Sequence, residues 1–358
     1  MGTNFNPPGL HPSLSWSDKS PFEHCVVSFS WNHDFHCSNE PPGGSSGRAD
    51  QVEENPDINR LKRKFVPLDQ HELQSSARAP SIPHLISFMP CGPSWTNNSC
   101  AYDALTAVLY NIWQENPPFW HESFCSINSQ FLAPLSRLML TQSFSPALAD
   151  RVRDELRSLM YNFDGSSYQP GQYVSAVDIA VHLFSTGRSV CTGSLFCVNG
   201  HAGSESMRRQ SYHSAFIQII LDDNPSSIQD WIHELRMRTQ QLCVVCQEPL
   251  FIAYSFTSPT PLLGFEVPRR MVIDLSITVT TATANTQSSL NYRLAAVIYF
   301  GSGHFTIRYV SPSRTTYYHD GLDGHAMQVE SVPIAQLDLF TCRGKTAVFV
   351  LYAVSDAY

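Results

Sequence analysis

From Cys100 onward, apolar and polar positions follow a helical period: Ala101, Leu105, Val108, Leu109 and Ile112 fall on one face of a helix. The Asn-Pro-Pro triplet at 116–118 predicts its end, because proline lacks an amide proton and its ring crowds the preceding turn. Helical patterns recur over about 145–161 and 174–185. The texture then changes. SAFIQIIL (214–221), PLLGFEVP (261–268), MVIDLSITV (271–279), YRLAAVIYF (292–300), HFTIRYV (304–310), TTYYHD (315–320) and AVFVLYAV (347–354) are rich in β-branched and aromatic residues and predict strands. One more helix is predicted among them, over SSIQDWIHELRMRT (226–239), with Ser226 or Ser227 as its cap. Helices first and a mostly antiparallel sheet later define an α+β fold.

Ahead of this body the pattern fails. Residues 1–85 read as a largely disordered region, with SNEPPGGSSGRADQVEENPD (38–57) rich in Pro, Gly, Ser and acids. The basic run NRLKRKF (59–65) reads as a solvated linker. The folded body is expected to begin near Ile82, with residues 86–358 as its domain. A hydrophobic content of 42% over 358 residues is enough for a sizeable core. A net charge of −8 argues against a nucleic-acid binder, which carries a basic face. No apolar run approaches a membrane span, and the start MGTNFNPPGLHPS lacks the layout of a secretory signal. The expected setting is therefore cytoplasmic, nuclear or both. Ten cysteines in such a reducing setting point to metal binding or catalysis more than to disulfides.

Two groups of residues carry candidate chemistry. In SWTNNSC (94–100), Asn98 or Ser99 is placed to cap the helix and Cys100 enters its first turn. Helix N–H groups there favour an anion, so the thiol pKa is expected to fall. A thiol nucleophile needs a base, and the base needs an orienting group. His304 opens a strand after a Gly-Ser-Gly turn, and Asp320 closes the next one; antiparallel pairing brings the two together. Asp323 is the reserve carboxylate, and His319, on the opposite face of an alternating strand, is expected to be structural. The second group is Cys243 and Cys246 in CxxC spacing with Cys197 and His201 in C-x3-H spacing, a Cys3His tetrahedral set; Cys191 could replace Cys197 or His201. Zinc there would be structural, since nothing around CVVC supplies an open position and a base. No Gly-rich phosphate loop follows a strand.

NSCAYDALTAVLYNIW, taken with YRLAAVIYFGSGHFTIRYV and TTYYHDGL, resembles the Cys and His boxes of the ubiquitin-specific proteases, a family of papain-like deubiquitinating enzymes. The resemblance spans roughly residues 88–356 and is dense at the two boxes. It implies a papain-like cysteine protease fold with a helical thumb, an antiparallel β palm and a small zinc-finger-like fingers region at about 188–250. It implies Cys100 as nucleophile, His304 as base and Asp320 as orienter. The activity implied is that of a cysteine isopeptidase that removes ubiquitin or a ubiquitin-like protein through a thioester, with no cofactor for the chemistry. Ubiquitin conjugates would be its partners, with neither nucleic acid nor membrane, and structural zinc would sit on Cys197, His201, Cys243 and Cys246. Two positions depart from the family pattern. Trp95 stands where an oxyanion-hole Asn is usual, leaving Asn98, or Asn97, as substitute donor; Gly321 replaces a second polar residue. Two other readings stay open: a catalytically weak ubiquitin-binding or scaffold member, and a papain-like peptidase with another substrate.

Overall fold

The computed structural model describes residues 89–201, 209–217, 226–234, 236–267, 271–282 and 287–355, all within the unit Ser81–Tyr358. The expectations for residues 1–85, for NRLKRKF and for the start of the body near Ile82 lie outside the described residues. Five helices come first: α1 (Cys100–Glu115), α2 (Pro117–Ile127), α3 (Leu132–Leu140), α4 (Pro146–Phe163) and α5 (Ala176–Leu183). Strands β1 (Cys191–Phe196), β2 (Arg209–Tyr212) and β3 (Phe216–Ile217) precede α6 (Ile228–Glu234). Then follow β4 (Arg236–Leu242), β5 (Pro249–Phe256), β6 (Leu262–Glu266), β7 (Ser276–Ala282), β8 (Gln287–Gly301), β9 (His304–Val310), β10 (Thr316–His319), β11 (Gln328–Val329), β12 (Thr341–Cys342) and β13 (Lys345–Val354).

The expected α+β order is present, with several local differences. Asn-Pro-Pro ends α1 and at once begins α2: the Asn116 side chain accepts from the Phe119 N–H, and Pro117 occupies a first-turn position that needs no donor. Ser145 and Ser175 cap α4 and α5 in the same way, accepting from Leu148 and Val177. The helix predicted over 226–239 stops at Glu234, and Arg236–Leu242 is strand β4, paired antiparallel with β5. Pairing outweighs the helical preference of its Arg, Met and Gln residues. Of SAFIQIIL, Phe216 and Ile217 form β3, and the residues after them lie outside the described set.

The sheet runs β11-β10-β9-β8-β7-β5-β1-β2, with β13 pairing β8, β6 and β12 and β4 pairing β5. Its pairs are antiparallel except β3 with β6 and β5 with β7. Helix α1 is buried from Cys100 through Trp113 and packs against β9, α4 and α5, which accounts for apolar residues all round it. It crosses β9: Cys100 meets the Phe305 backbone at one end, and at the other Glu115 accepts from the Tyr309 hydroxyl (2.6 Å) and from Arg293 on β8.

Asn111, fully buried on α1, anchors the segment that leads into the helix. Its Oδ1 accepts from Cys91 N–H (3.2 Å), and its Nδ2 donates to Cys91 C=O (2.8 Å). Asn111→Leu keeps the volume and strands both backbone groups, so a loss of about 1–3 kcal/mol for each is expected in denaturant unfolding. An unchanged unfolding midpoint would show that this anchor is dispensable.

Candidate functional site

The segment 91–99 is tied at nearly every residue. On one side Gly92 N–H donates to His325 C=O (2.9 Å), His319 Nε2 sits 3.1 Å from Pro93 C=O, and Trp95 N–H donates to Gly321 C=O (2.8 Å). On the other side, α4 presents Asp150, Arg153 and Arg157, one face of a helix. Asp150 accepts from Ser94 N–H (3.0 Å), Arg153 donates to Ser94 C=O, and Arg157 donates to Asn97 C=O (3.2 Å). Asn97 and Asn98 then take positive φ values of 47° and 58° between Thr96 and Ser99, whose backbones close the turn at 3.1 Å. Asparagine tolerates this left-handed region, so the Asn-Asn pair sets the turn that delivers Cys100 into α1.

Ser99 occupies the cap position of α1 but makes no capping bond. Its hydroxyl accepts from Thr96 N–H (2.9 Å) and donates to Asp103 (2.6 Å). Nor is Asn98 a cap: its amide donates to Gly171 C=O (2.8 Å), where a positive φ of 82° and the close Asn97 side chain both call for glycine. The Cys100 thiol lies at backbone groups of Phe305, Ala101 and Cys100 itself, the N–H-rich environment expected at a helix start. The expectation of a lowered thiol pKa nevertheless fails. Burial raises it, the nearby Asp103 carboxyl raises it further, and the backbone groups offset only part of this.

A two-residue hairpin turn, Ser302-Gly303, with φ values of 52° and 72°, joins β8 to β9 and makes His304 the first residue of β9. Strands β9 and β10 pair antiparallel, and His304 Nε2 comes to 2.7 Å from Asp320 Oδ1. That carboxyl also accepts from Leu322 N–H (3.0 Å). Burial works against its charge, but the His304 and Leu322 bonds outweigh it and hold Asp320 below the usual carboxylate range. Asp323 is exposed in the following turn, and the His304 ring pairs with Asp320 instead. His319 is buried on the other face of β10, packed so closely that a Cβ on Gly92 would stand 2.4 Å from its Nε2. Trp95 contributes its backbone to the Gly321 bond, while its side chain is exposed. Gly321 has a steric reason: a Cβ there would lie 3.2 Å from both Trp95 N and Asp103 Oδ2.

At the far end of β1, Cys197, His201, Cys243 and Cys246 converge, their ligand atoms all within 4.8 Å of one another. Cys197 Sγ is 3.5 Å from Cys246 Sγ and 3.6 Å from His201 Nδ1. Two thiolates on one tetrahedral zinc stand about 3.8 Å apart, from Zn–S bonds of about 2.3 Å. The donor set therefore fits a metal ion. Around it, Glu248 N–H and the Asn199 amide hold the Cys246 thiol down to about 6. Cys191 lies in the main core on β1, between Tyr212 and Phe256, outside this group.

No protein-family model and no curated protein matches the chain in sequence. Among solved structures it is similar to a SAGA DUB module of Ubp8, Sgf11, Sus1 and Sgf73 bound to monoubiquitin, at 9% identity and a TM-score of 0.47, covering 74% of this chain and 69% of that one. The same module bound to ubiquitin aldehyde gives 9% identity and a TM-score of 0.46 over the same shares. Residue roles in this chain rest on its own geometry. No helix among the described residues is long and apolar enough to cross a membrane.

Asp103 was not legible as a site residue, yet it touches three parts of the site: Ser99, Arg153 and, by proximity, Gly321. Burial pushes its carboxyl from about 3.8 up to about 7, against the Ser99 and Arg153 bonds. An acid with a raised folded pKa binds its proton more tightly folded than unfolded, so the fold loses stability as pH rises between those two values. Asp103→Asn removes this titration. Its stability relative to wild type is expected to rise from pH ~4 to ~7 and then level off. Denaturant melts across that range check this, and a difference independent of pH would contradict it.

Proposed function

We propose that this chain is a cysteine isopeptidase of the ubiquitin-specific-protease type, acting on the bond after the Gly-Gly tail of ubiquitin or a ubiquitin-like protein. The observation that carries the reading is the 2.7 Å His304–Asp320 pair at the mouth of β9, whose next residue, Phe305, meets the Cys100 thiol. Asp320, held ionised, accepts at Nε2 and leaves Nδ1 as the basic nitrogen that takes the thiol proton. Because burial raises the thiol, the thiolate forms as an ion pair with the His304 imidazolium rather than as a free anion. The thiolate attacks the tail carbonyl. The oxyanion is met by the Cys100 and Ala101 N–H groups and by Asn98, whose amide has a second hydrogen beyond the one given to Gly171. A donor of this kind contributes about 2.7–4 kcal/mol. His304 returns its proton to the leaving lysine amine, and water attacks the thioester to release the free tail and the thiol. Residues 86–358 would form the catalytic domain, with helices α1 to α5 as thumb, the sheet around β8 and β13 as palm and β1, β2, β4 and β5 as fingers.

Two observations favour a second reading, a catalytically weak ubiquitin-binding module: the raised Cys100 thiol and the exposed Trp95 where an amide is usual. A ubiquitin carrying a C-terminal electrophile separates the readings. Isopeptidase activity predicts labelling at Cys100, none in Cys100→Ala, and a rate about 10²–10⁴-fold lower in His304→Ala. Ubiquitin binding without labelling supports the weak module instead, and peptide cleavage without probe reaction supports a papain-like peptidase.

For the Cys3His group we propose structural zinc. Metal analysis of purified protein is expected to give about one equivalent of zinc per chain, lost in Cys246→Ser, with unfolding by chelators confined to this part of the sheet. Less than about half an equivalent in wild type would remove the proposal, since a closed four-ligand site holds its ion tightly.

A further inference from the structure

Arg153 is 4% exposed, lies on α4 and has no role in the chemistry above. Its Nη1 lies within hydrogen-bond distance of three acceptors that share its two hydrogens: Ser94 C=O, Asp103 Oδ1 (3.3 Å) and Asp150 Oδ1 (3.2 Å). Each acceptor leads to the approach to Cys100. Ser94 is part of that approach. Asp150 accepts from Ser94 N–H, so the Ser94 peptide is gripped at both its N–H and its C=O. Asp103 holds the Ser99 hydroxyl, which in turn holds Thr96 N–H. Arg153 Nε donates to Asp154 Oδ1 (2.9 Å), and because Nε and Nη1 are fixed in one planar fork this second bond aims Nη1 at the approach, which a single-nitrogen ammonium cannot reproduce. A cation that only balanced buried charge would need its carboxylates and not the Ser94 carbonyl.

We propose that Arg153 is a positioning residue whose guanidinium holds the 94–99 backbone in the place from which Asn98 and the first N–H groups of α1 meet the reacting carbonyl. This rests on Cys100 being the reacting thiol. Arg153→Met alone strands a buried carboxylate, so the informative variant is Arg153→Met/Asp103→Asn, which removes the cation together with its most buried counter-charge.

In the 358-residue chain we expect this double variant to keep an unfolding midpoint within about 3 °C of wild type. Amides of residues 94–99 should exchange with deuterium at least about tenfold faster, with α1 beyond its first turn unchanged. Labelling by the ubiquitin electrophile should slow at least about tenfold while ubiquitin binding is unchanged, because misplacement of the reacting groups costs rate rather than affinity. Arg153→Lys, which keeps the charge and loses the fork, should fall between; if the double variant does not fold, the same readings on Arg153→Lys decide. Wild-type exchange at 94–99, or labelling within twofold of wild type, would overturn the proposal and leave Arg153 as charge balance. If wild type itself is not labelled, the isopeptidase reading fails and with it the role in positioning; the exchange rates then report separately whether the clamp exists.

Discussion

The hydrogen bond from Trp95 N–H to Gly321 C=O, 2.8 Å long, joins the two halves of the candidate site. Trp95 belongs to the segment that delivers Cys100, and Gly321 follows Asp320, whose carboxylate is bonded to His304. Neither partner is chemically special, since backbone groups make the bond. What the sequence must supply is room. A side chain at Gly321 would press on Trp95 N and Asp103, and one at Gly92 would collide with the His319 ring. Two glycines therefore allow the loop after β10 to lie flat against the approach to α1.

The opposite wall of the approach is electrostatic. Arg153 faces Asp103, Asp150 and Asp154, with Asp150 also paired to His325 at 2.7 Å. Burying charge is expensive, and an apolar replacement of such a group is often neutral or stabilising. Stability therefore gives little reason to keep it. Orientation gives a better one, because Arg153 and Asp150 hold the Ser94 C=O and N–H, and Asp103 holds the Ser99 hydroxyl. The same arrangement bears on the thiol: a carboxyl near Cys100 opposes thiolate formation, and the Arg153 guanidinium counters that carboxyl.

Much of this architecture was legible. The period after Cys100 marks α1, and the runs from Tyr292 to Asp320 mark β8, β9 and β10, including the antiparallel pairing that brings His304 to Asp320. CxxC and C-x3-H spacing marks the four residues that converge. Helices α2 and α3 carry a weaker signal of the same kind, absent from the elements predicted above: Trp120, Phe124 and Ile127, and then Leu132, Leu135 and Met139, follow helical spacing and are buried. Strand β4 could not be read from its polar composition, because its pairing with β5 decides it. The clamp was hidden for another reason. Asp150 and Arg153 look like the surface charges of any amphipathic helix, and only the fold shows that they face inward onto Ser94. Helix position, which is local and visible, points to a lowered Cys100 thiol, whereas burial, a property of the whole packing, raises it.

The Cys3His group occupies a different mechanical setting from the site at Cys100. Among the described residues, its own apolar core consists of Cys197, Cys243 and Leu250, with Leu195 and Cys246 against it. Val198, Leu242, Val244 and Val245 around it are all more than half exposed, at 53%, 52%, 76% and 63%. These described residues alone bury too little apolar surface to offset the conformational entropy of the two turns that carry the cysteines. Backbone pairing of β1 and β4 with β5 supplies part of the order, and Cys243 N–H to Glu248 C=O (2.7 Å) closes one turn. The remaining constraint has to come from the side chains themselves. Four ligand-type groups around one point provide it when they share a metal ion, since binding free energy is then folding free energy for that arm of the sheet. The main core, from α1 to β13, has no such need, because its strands and helices bury large aromatic and aliphatic side chains completely.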